Sequence, residues 1–308
     1  MTPPSPLVQS RKVGRYTVHA LQAGGQMLDG GAMFGVVPKP LWEKKIPADA
    51  RNRIPMGMRC LLIEHESGLV LIDTGAGNKE TQKFLGIYGI ENDGSGERTM
   101  LELALVSAGF RPEDISLVIN THLHFDHAGG NTTIEGDGRV VNAFPHARFV
   151  VQAGEAHYAM HTNERTAASY FPRNWEPLRE LGRLDLVEGP VEIVKGIRAL
   201  PTPGHTPHHQ SILIDGGNEI ACYLGDVIPT HIHMPLPWIM GYDVEPLRTL
   251  ESKRALLSTA LAERWLLIFE HDASVAWGYA GHDGKNYFLV PAQFASSLPP
   301  PRSGGTKS

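Results

Sequence analysis

The sequence predicts an α/β protein built as a four-layer αββα sandwich, on three observations. Short apolar runs that read as strands occur in both halves of the 308-residue chain, at 58–64, 69–73 and 115–119 and again at 211–214, 219–224 and 266–269. Segments with helical spacing of apolar residues, 97–108 and 247–262, accompany them. Strands of both halves run into histidine or aspartate, so the halves are expected to pack as two mixed sheets with helices outside. The chain reads as a flexible N-terminus over 1–15, one domain over 16–296 and a disordered Pro-, Gly- and Ser-rich tail over 297–308.

Composition narrows the function classes. Hydrophobic residues make up 42% and charged residues 20%, which suits a globular protein with a sizeable core. The formal net charge of −5 provides no basic field for nucleic acid or an anionic membrane. Cys60 and Cys222 each sit in an apolar stretch and read as buried free thiols of a reducing compartment. No apolar segment follows the N-terminal charges and no run reaches membrane-spanning length, so a cytoplasmic location is expected. A homodimer is compatible with this composition.

In chain order, Tyr16–Leu21 is expected as a first strand, and the Gly-rich stretch Gly24–Trp42 as an apolar loop lining a pocket through Phe34 and Trp42. Met58–Glu64 and Leu69–Asp73 form a strand pair across the turn His-Glu-Ser-Gly, the second strand ending in Asp-Thr-Gly-Ala-Gly. A helix over 97–108 leads into strand Ile115–Ile119. Arg148–Gln152 reads as a strand, Ala153–His161 as a helix and Asn163–Leu184 as an irregular insertion. Short strands follow at 191–193, 197–200, 211–214 and 219–224. The amphipathic helix Leu247–Ala262 precedes strands at 266–269 and 287–290.

Chemistry concentrates after Ile119, where Thr-His-Leu-His-Phe-Asp-His-Ala-Gly-Gly-Asn packs His122, His124, Asp126 and His127 into six residues. Alternate residues of an extended segment point the same way, so His122 and His124 project together while Asp126 and His127 follow in the turn. Neutral imidazoles with carboxylates suit a divalent transition metal, zinc first. Further candidate ligands end other strands: His205 in Pro-Gly-His-Thr-Pro, Asp226 after 220–224, and His271 after 266–269. His282 lies in a turn, His146, His208 and His209 read as supporting or surface residues, and His231 and His233 face either pocket or solvent.

The H-x-H-x-D-H run resembles the signature of the metallo-β-lactamase superfamily. Its extension Ala-Gly-Gly-Asn, with Thr-Pro-Gly-His-Thr-Pro at 202–207, resembles the quorum-quenching N-acyl-homoserine lactone lactonases of that superfamily. The segment from Gly31 to Trp42 resembles one bacterial subgroup of lactonase-like proteins. The resemblance implies the αββα metallo-β-lactamase fold and two divalent metals, zinc by default with iron, cobalt or manganese as substitutes. It assigns His122, His124 and His205 to one metal, Asp126, His127 and His271 to the other, and Asp226 to the bridge. Asp73 would orient a ligand from behind.

The implied activity is hydrolysis of an ester or lactone by a metal-bridging hydroxide, with Asp126 and Asp226 as the catalytic carboxylates. One departure stands out: where such lactonases often carry a tyrosine three residues after the bridging aspartate, this chain has Pro229. Thr230, His231 or Tyr223 is then expected to supply the missing donor, and organophosphate triester or arylester hydrolysis is the alternative activity. Phe34, Trp42, Phe125 and Trp238 are expected to form an apolar substrate pocket together with Tyr223 and His231. The expected partner is a small-molecule ester or lactone, with no nucleic acid and no membrane.

Overall fold

The computed structural model describes residues 6–94 and 98–293. The N-terminal half lays down strands β1 (Val8–Val13), β2 (Tyr16–Asp29), β3 (Arg53–His65), β4 (Gly68–Ile72) and β5 (Ile115–Ile119). A small hairpin of β6 (Thr132–Ile134) and β7 (Val140–Asn142) follows, then β8 (Arg148–Gln152) and β9 (Leu184–Val187). The first sheet has the order β1-β2-β3-β4-β5-β8-β9. The second runs in sequence order through β10 (Val191–Val194), β11 (Ile197–Pro201), β12 (Gln210–Asp215), β13 (Ile220–Tyr223), β14 (Leu266–Ile268), β15 (Trp277–His282) and β16 (Tyr287–Pro291).

Both sheets are mixed. β4, β5, β8 and β9 pair in parallel, as do β13 and β14, while the other strand pairs in the two sheets are antiparallel. One buried cluster draws Val18, Ile63, Ile72 and Ile119 from the first sheet and Ile212, Tyr223, Leu266 and Ile268 from the second, so the sheets face one another. Period-two alternation sends the intervening residues outward. There Leu62, Leu71 and Val118 pack on Leu101, Ala104 and Leu105 of one helix, while Leu267 and Cys222 pack on Leu256, Leu257 and Ala260 of another.

The helices in chain order are α1 (Gly30–Phe34), α2 (Lys39–Trp42), α3 (Gln82–Tyr88), α4 (Met100–Ser107), α5 (Phe125–Ala128), α6 (Ala153–Met160), α7 (Glu176–Glu180) and α8 (Pro246–Glu263). α4 starts where Thr99 and Glu102 cap each other's backbone amides in a capping box. Among the described residues, no helix is long and apolar enough to cross a membrane.

Several sequence expectations need correction. Residues 8–13, expected within a flexible N-terminus, form β1, which pairs with β2 from Val8↔Leu21 to Val13↔Tyr16. Gly14, at φ 54°, supplies the left-handed position of this two-residue hairpin. β2 does not stop at Leu21. It crosses a bulge between Gln22 and Gly25 and pairs with β3 as far as Asp29↔Arg53. The expected loop from Gly24 is therefore strand, and two short helices follow it. β15 is an additional strand, concealed in sequence by Gly278 and Gly281. The tail expected at 297–308 lies outside the described residues.

Candidate metal centre

The candidate ligands leave both sheets at strand C-termini. His122 follows β5, and His124 precedes the short helix α5 that carries Asp126 and His127. His205 follows β11, Asp226 sits in the turn after β13, and His271 lies three residues beyond β14. Their donor atoms converge in three overlapping groups, His122/His124/His205, His122/His127/Asp226 and Asp126/His127/His271, each within 4.8 Å. The structure thus brings together all seven residues marked in the sequence.

Hydrogen bonds behind the rings fix which nitrogen faces the cluster. His271 Nδ1 donates to the Gly57 carbonyl at 2.8 Å and His205 Nδ1 to Asp243 Oδ1 at 2.9 Å. His127 Nδ1 meets Asp73 Oδ2 at 3.1 Å and Glu270 Oε1 at 2.9 Å. Because the Gly57 carbonyl and the Asp243 and Asp73 carboxylates accept, each of these rings in its neutral form presents a bare Nε2. Yet His271 Nε2 stands 3.1 Å from His127 Nε2, and His205 Nε2 stands 3.1 Å from His124 Nδ1. With both Nδ1 atoms donating outward, the His271 and His127 Nε2 atoms can share that distance only with a positive charge between them, a proton or a metal ion. In addition, among the described residues, His122 Nε2 is buried without a hydrogen bond. Nitrogen and carboxylate donors with this orientation fit divalent metal ions.

Electrostatics agree. Burial, with His127, His124 and His205 nearby, holds His122 well below its usual pKa and so in the neutral form a metal ligand needs. His124 is held down in the same way, by burial and then by His205. Burial alone would lower His271, but the Asp226 carboxylate overrides it and pushes the ring up to about 9. Burial likewise works against ionised Asp226, but His271, His205 and His127 keep it well below the usual carboxylate range. Positive charge is favoured at this spot, carried by protons or by metal.

The supporting residues come from distant segments. Asp73 accepts from the Thr121 amide at 2.8 Å and hydroxyl at 2.7 Å, and holds a left-handed φ of 55°, a strained conformation of the kind kept at sites. The loop after it packs so closely on the Ala128-Gly129-Gly130 turn that a Cβ at Gly129 or Gly130 would overlap the carbonyl of Ala76 or Thr74. Lys79 Nζ ties the same turn by donating to the carbonyls of Gly129 and Thr132. His209 Nε2 accepts from the Asp226 amide at 3.0 Å, so its Nδ1 donates to Thr202 Oγ1 at 2.9 Å, and burial keeps the ring neutral with a pKa of about 3. Glu155, fully buried on α6, accepts from the Leu123 amide at 3.1 Å, the Thr206 hydroxyl at 2.7 Å and the Tyr170 hydroxyl at 2.8 Å.

A cavity of about 220 Å³ opens beside the cluster. Asp126, Asp226, His124, His205 and His271 form its floor, and Leu28, Met33, Phe125, Met240 and Val244 much of its apolar wall. Gln26, Tyr88, Arg165 and Tyr242 add polar groups. Gln26 Nε2 donates to Asp126 Oδ2 at 2.7 Å.

Of the expected pocket residues, Phe125 lines this cavity and the others do not. Phe34 stacks on His233 at 4.6 Å and on Trp42 at 5.3 Å, with Trp238 edge-on at 5.6 Å. These rings satisfy one another in a cluster shared with Met33 and Met240, and so support the cavity wall from behind. Tyr223 is buried between the sheets and its hydroxyl donates to the Arg59 carbonyl. His231 is taken up by Asp272, and Thr230 Oγ1 lies 2.8 Å from His233 Nδ1. None of the three expected substitutes for a tyrosine at 229 is free in the cavity. Glu155, Asp243 and Gln26 carried no sequence signal beyond being polar residues in mixed segments.

Comparison with known proteins follows the same line. The metallo-beta-lactamase superfamily model matches residues 57–271. An N-acyl homoserine lactonase from a Bacillus species is 30% identical over 222 residues, 69% of this chain and 80% of the relative. The crystal structure of a probable metal-dependent hydrolase from Staphylococcus aureus superimposes with a TM-score of 0.81 at 32% identity, covering 91% of this chain and 99% of that one. An N-acyl homoserine lactone hydrolase, with the product N-hexanoyl-L-homoserine bound at its catalytic metal center, gives a TM-score of 0.61 at 25% identity over 85% of this chain and 94% of the other.

Proposed function

This chain belongs to the metallo-β-lactamase superfamily, and from that premise we propose that it is a two-metal hydrolase that opens lactones, acyl-homoserine lactones first among them. The observation that carries the reading is the convergence of the seven ligand-type residues beside an apolar cavity. The lactonases among its relatives support the choice of substrate. His122, His124 and His205 would hold one metal, Asp126, His127 and His271 the other, with Asp226 shared. Bound there, two divalent ions supply Lewis acidity toward an ester carbonyl and a water acidified enough to attack it near neutral pH. Zinc suits the donor set, and iron, cobalt or manganese could replace it.

The chain's own residues do the rest. The second ring nitrogens, held by Asp243, Gly57 and the Asp73–Glu270 pair, keep each imidazole in the ligating tautomer. Asp126, steadied by Gln26 on the cavity floor, can take up and return a proton as the ester opens. The apolar wall of Leu28, Met33 and Met240 accepts a hydrophobic arm of the substrate. A cytoplasmic site of action accords with this reading.

Two measurements test it. Elemental analysis of metal-replete protein should give two divalent metals per chain; one or fewer rejects the two-metal centre. A panel of acyl-homoserine lactones, aryl phosphotriesters, aryl esters and β-lactams should show the lactones as the best substrates. Faster turnover of a phosphotriester than of any lactone would replace lactonase by triesterase.

A further inference from the structure

Among the described residues, two hydroxyls in the cavity wall have no hydrogen-bond partner. They belong to Tyr88, the last residue of α3, and Tyr242, four residues before α8. Tyr88 is half-buried and Tyr242 is 37% exposed, so both phenols stay open to a molecule that enters the cavity. Tyr88 packs on Phe84 with ring centroids 4.6 Å apart and on Phe125 at 5.2 Å, and Phe125 directly precedes Asp126. Tyr242 stands between Gly241, whose carbonyl accepts from Arg165 Nη2 at 2.8 Å, and Asp243, the partner of His205 Nδ1.

Burial raises the pKa of Tyr88, with Asp126 adding to it. Burial pushes Tyr242 up to about 12, with Tyr88, Asp29 and Asp126 adding to it. Both phenols therefore remain protonated and are donors at neutral pH. They share one cavity with the ligand cluster, which is already placed to receive the reacting ester carbonyl. The phenols are left to meet a different oxygen of the same substrate.

We propose that Tyr88 and Tyr242 form a two-phenol clamp that donates to an acceptor oxygen beside the scissile ester, so that the site selects esters with a neighbouring amide carbonyl over esters without one. The clamp rests on the ester-hydrolase reading above and specifies its substrate class. A substrate lacking the acceptor would enclose two phenols with no partner, and a site built for a hydrogen bond discriminates strongly against the analogue that lacks it.

The test uses the metal-loaded full chain and two substrate pairs. One pair is N-hexanoyl-homoserine lactone and an alkyl γ-lactone of matching length without the amide. The other is the 4-nitrophenyl esters of N-acetylglycine and of pentanoic acid. The wild type should prefer the amide member of each pair by about tenfold or more in kcat/KM, and Tyr88→Phe with Tyr242→Phe should bring that ratio close to one. The same double variant should bind N-hexanoyl-homoserine about tenfold more weakly by calorimetry, while Phe retains the ring packing and the melting temperature. An undiminished ratio in the double variant, or no preference in the wild type, overturns the clamp. Inert lactones, with the ratio present and then lost on the aryl esters, would reject the lactonase reading while the clamp stands.

Discussion

The carboxylate of Glu155 accepts a hydrogen bond from the Thr206 hydroxyl at 2.7 Å, and through it helix α6 grips the loop that carries His205. The other oxygen of Glu155 takes the amide of Leu123, between His122 and His124. One buried side chain thus spaces the two loops that hold three histidines of the cluster.

Glu155→Ala should therefore loosen the metal centre without touching a ligand. Three donors lose their acceptor, each at a cost of about 1–3 kcal/mol, and the histidines lose their spacing. Metal affinity should fall by about 10–100-fold, as when other residues that orient ligands are removed. Competition with a chromophoric chelator measures this directly. Glu155→Gln keeps one acceptor and should fall between. Unchanged metal affinity in the alanine variant would mean that α6 has no part in holding the site.

What the sequence disclosed and what it concealed divide along chain distance. All seven cluster residues were legible because each lies within a few residues of an apolar run, and a strand that ends in histidine or aspartate is a local pattern. Glu155, Asp243 and Gln26 act on residues 32 to 100 positions away, and no local pattern reports such a pairing. The fold class was visible in the two sets of strands. β15 and the second half of β2 were not, because glycines at a bulge or beneath a neighbouring side chain look like loop. Phe34, Trp42 and Trp238 are expected from the sequence to line the substrate pocket, and the structure packs them on one another behind its wall instead.

Gly130→Ala should destabilise the whole protein. An added Cβ would overlap the Thr74 carbonyl, a backbone atom that cannot swing aside. The Asp73–Gly77 loop would have to lift from the turn that follows His127. A loss of about 3 kcal/mol is expected, in the range of overpacked cores, which for a chain of this size lowers Tm by roughly 4–6 °C. Calorimetry at matched metal content checks it, and a shift under 2 °C would show that the loop has room to move.

Lys253 gives a pH signature. Its ammonium is buried in α8 and donates to the carbonyls of Pro235 and Trp238 at 2.9 and 2.7 Å, and burial pushes its pKa down to about 7. In the unfolded chain the group returns to about 10.4. Between these values the unfolded state binds more protons, so folding stability contributed by this residue rises with pH from about 7 to about 10. Lys253→Met has no such titration. The stability of the wild type relative to the variant should therefore rise as pH increases across that window, by at most about 1.4 kcal/mol per unit. Denaturant titrations at pH 7, 8.5 and 10 measure it, and a difference that stays constant with pH would mean that the carbonyls keep the ammonium charged.

The last prediction concerns the acyl arm. The apolar wall of Leu28, Met33, Phe125, Met240 and Val244 leads away from the ligand cluster, and the stacked Phe34, Trp42 and Trp238 behind it limit its retreat. Each methylene that reaches this wall leaves water at a gain of about 0.8 kcal/mol, roughly a fourfold rise in kcat/KM per carbon if the gain persists in the transition state. The rise should stop once the chain outgrows a cavity of about 220 Å³ and meets solvent. Trp42→Ala removes the ring that lies against Phe34 and Gly30, lets the wall recede, and should move that limit toward longer chains. Acyl-homoserine lactones of four to twelve carbons, assayed on both proteins, give the two curves. A flat wild-type curve would show that the cavity does not hold the acyl arm, and coincident limits would show that the aromatic stack does not set its depth.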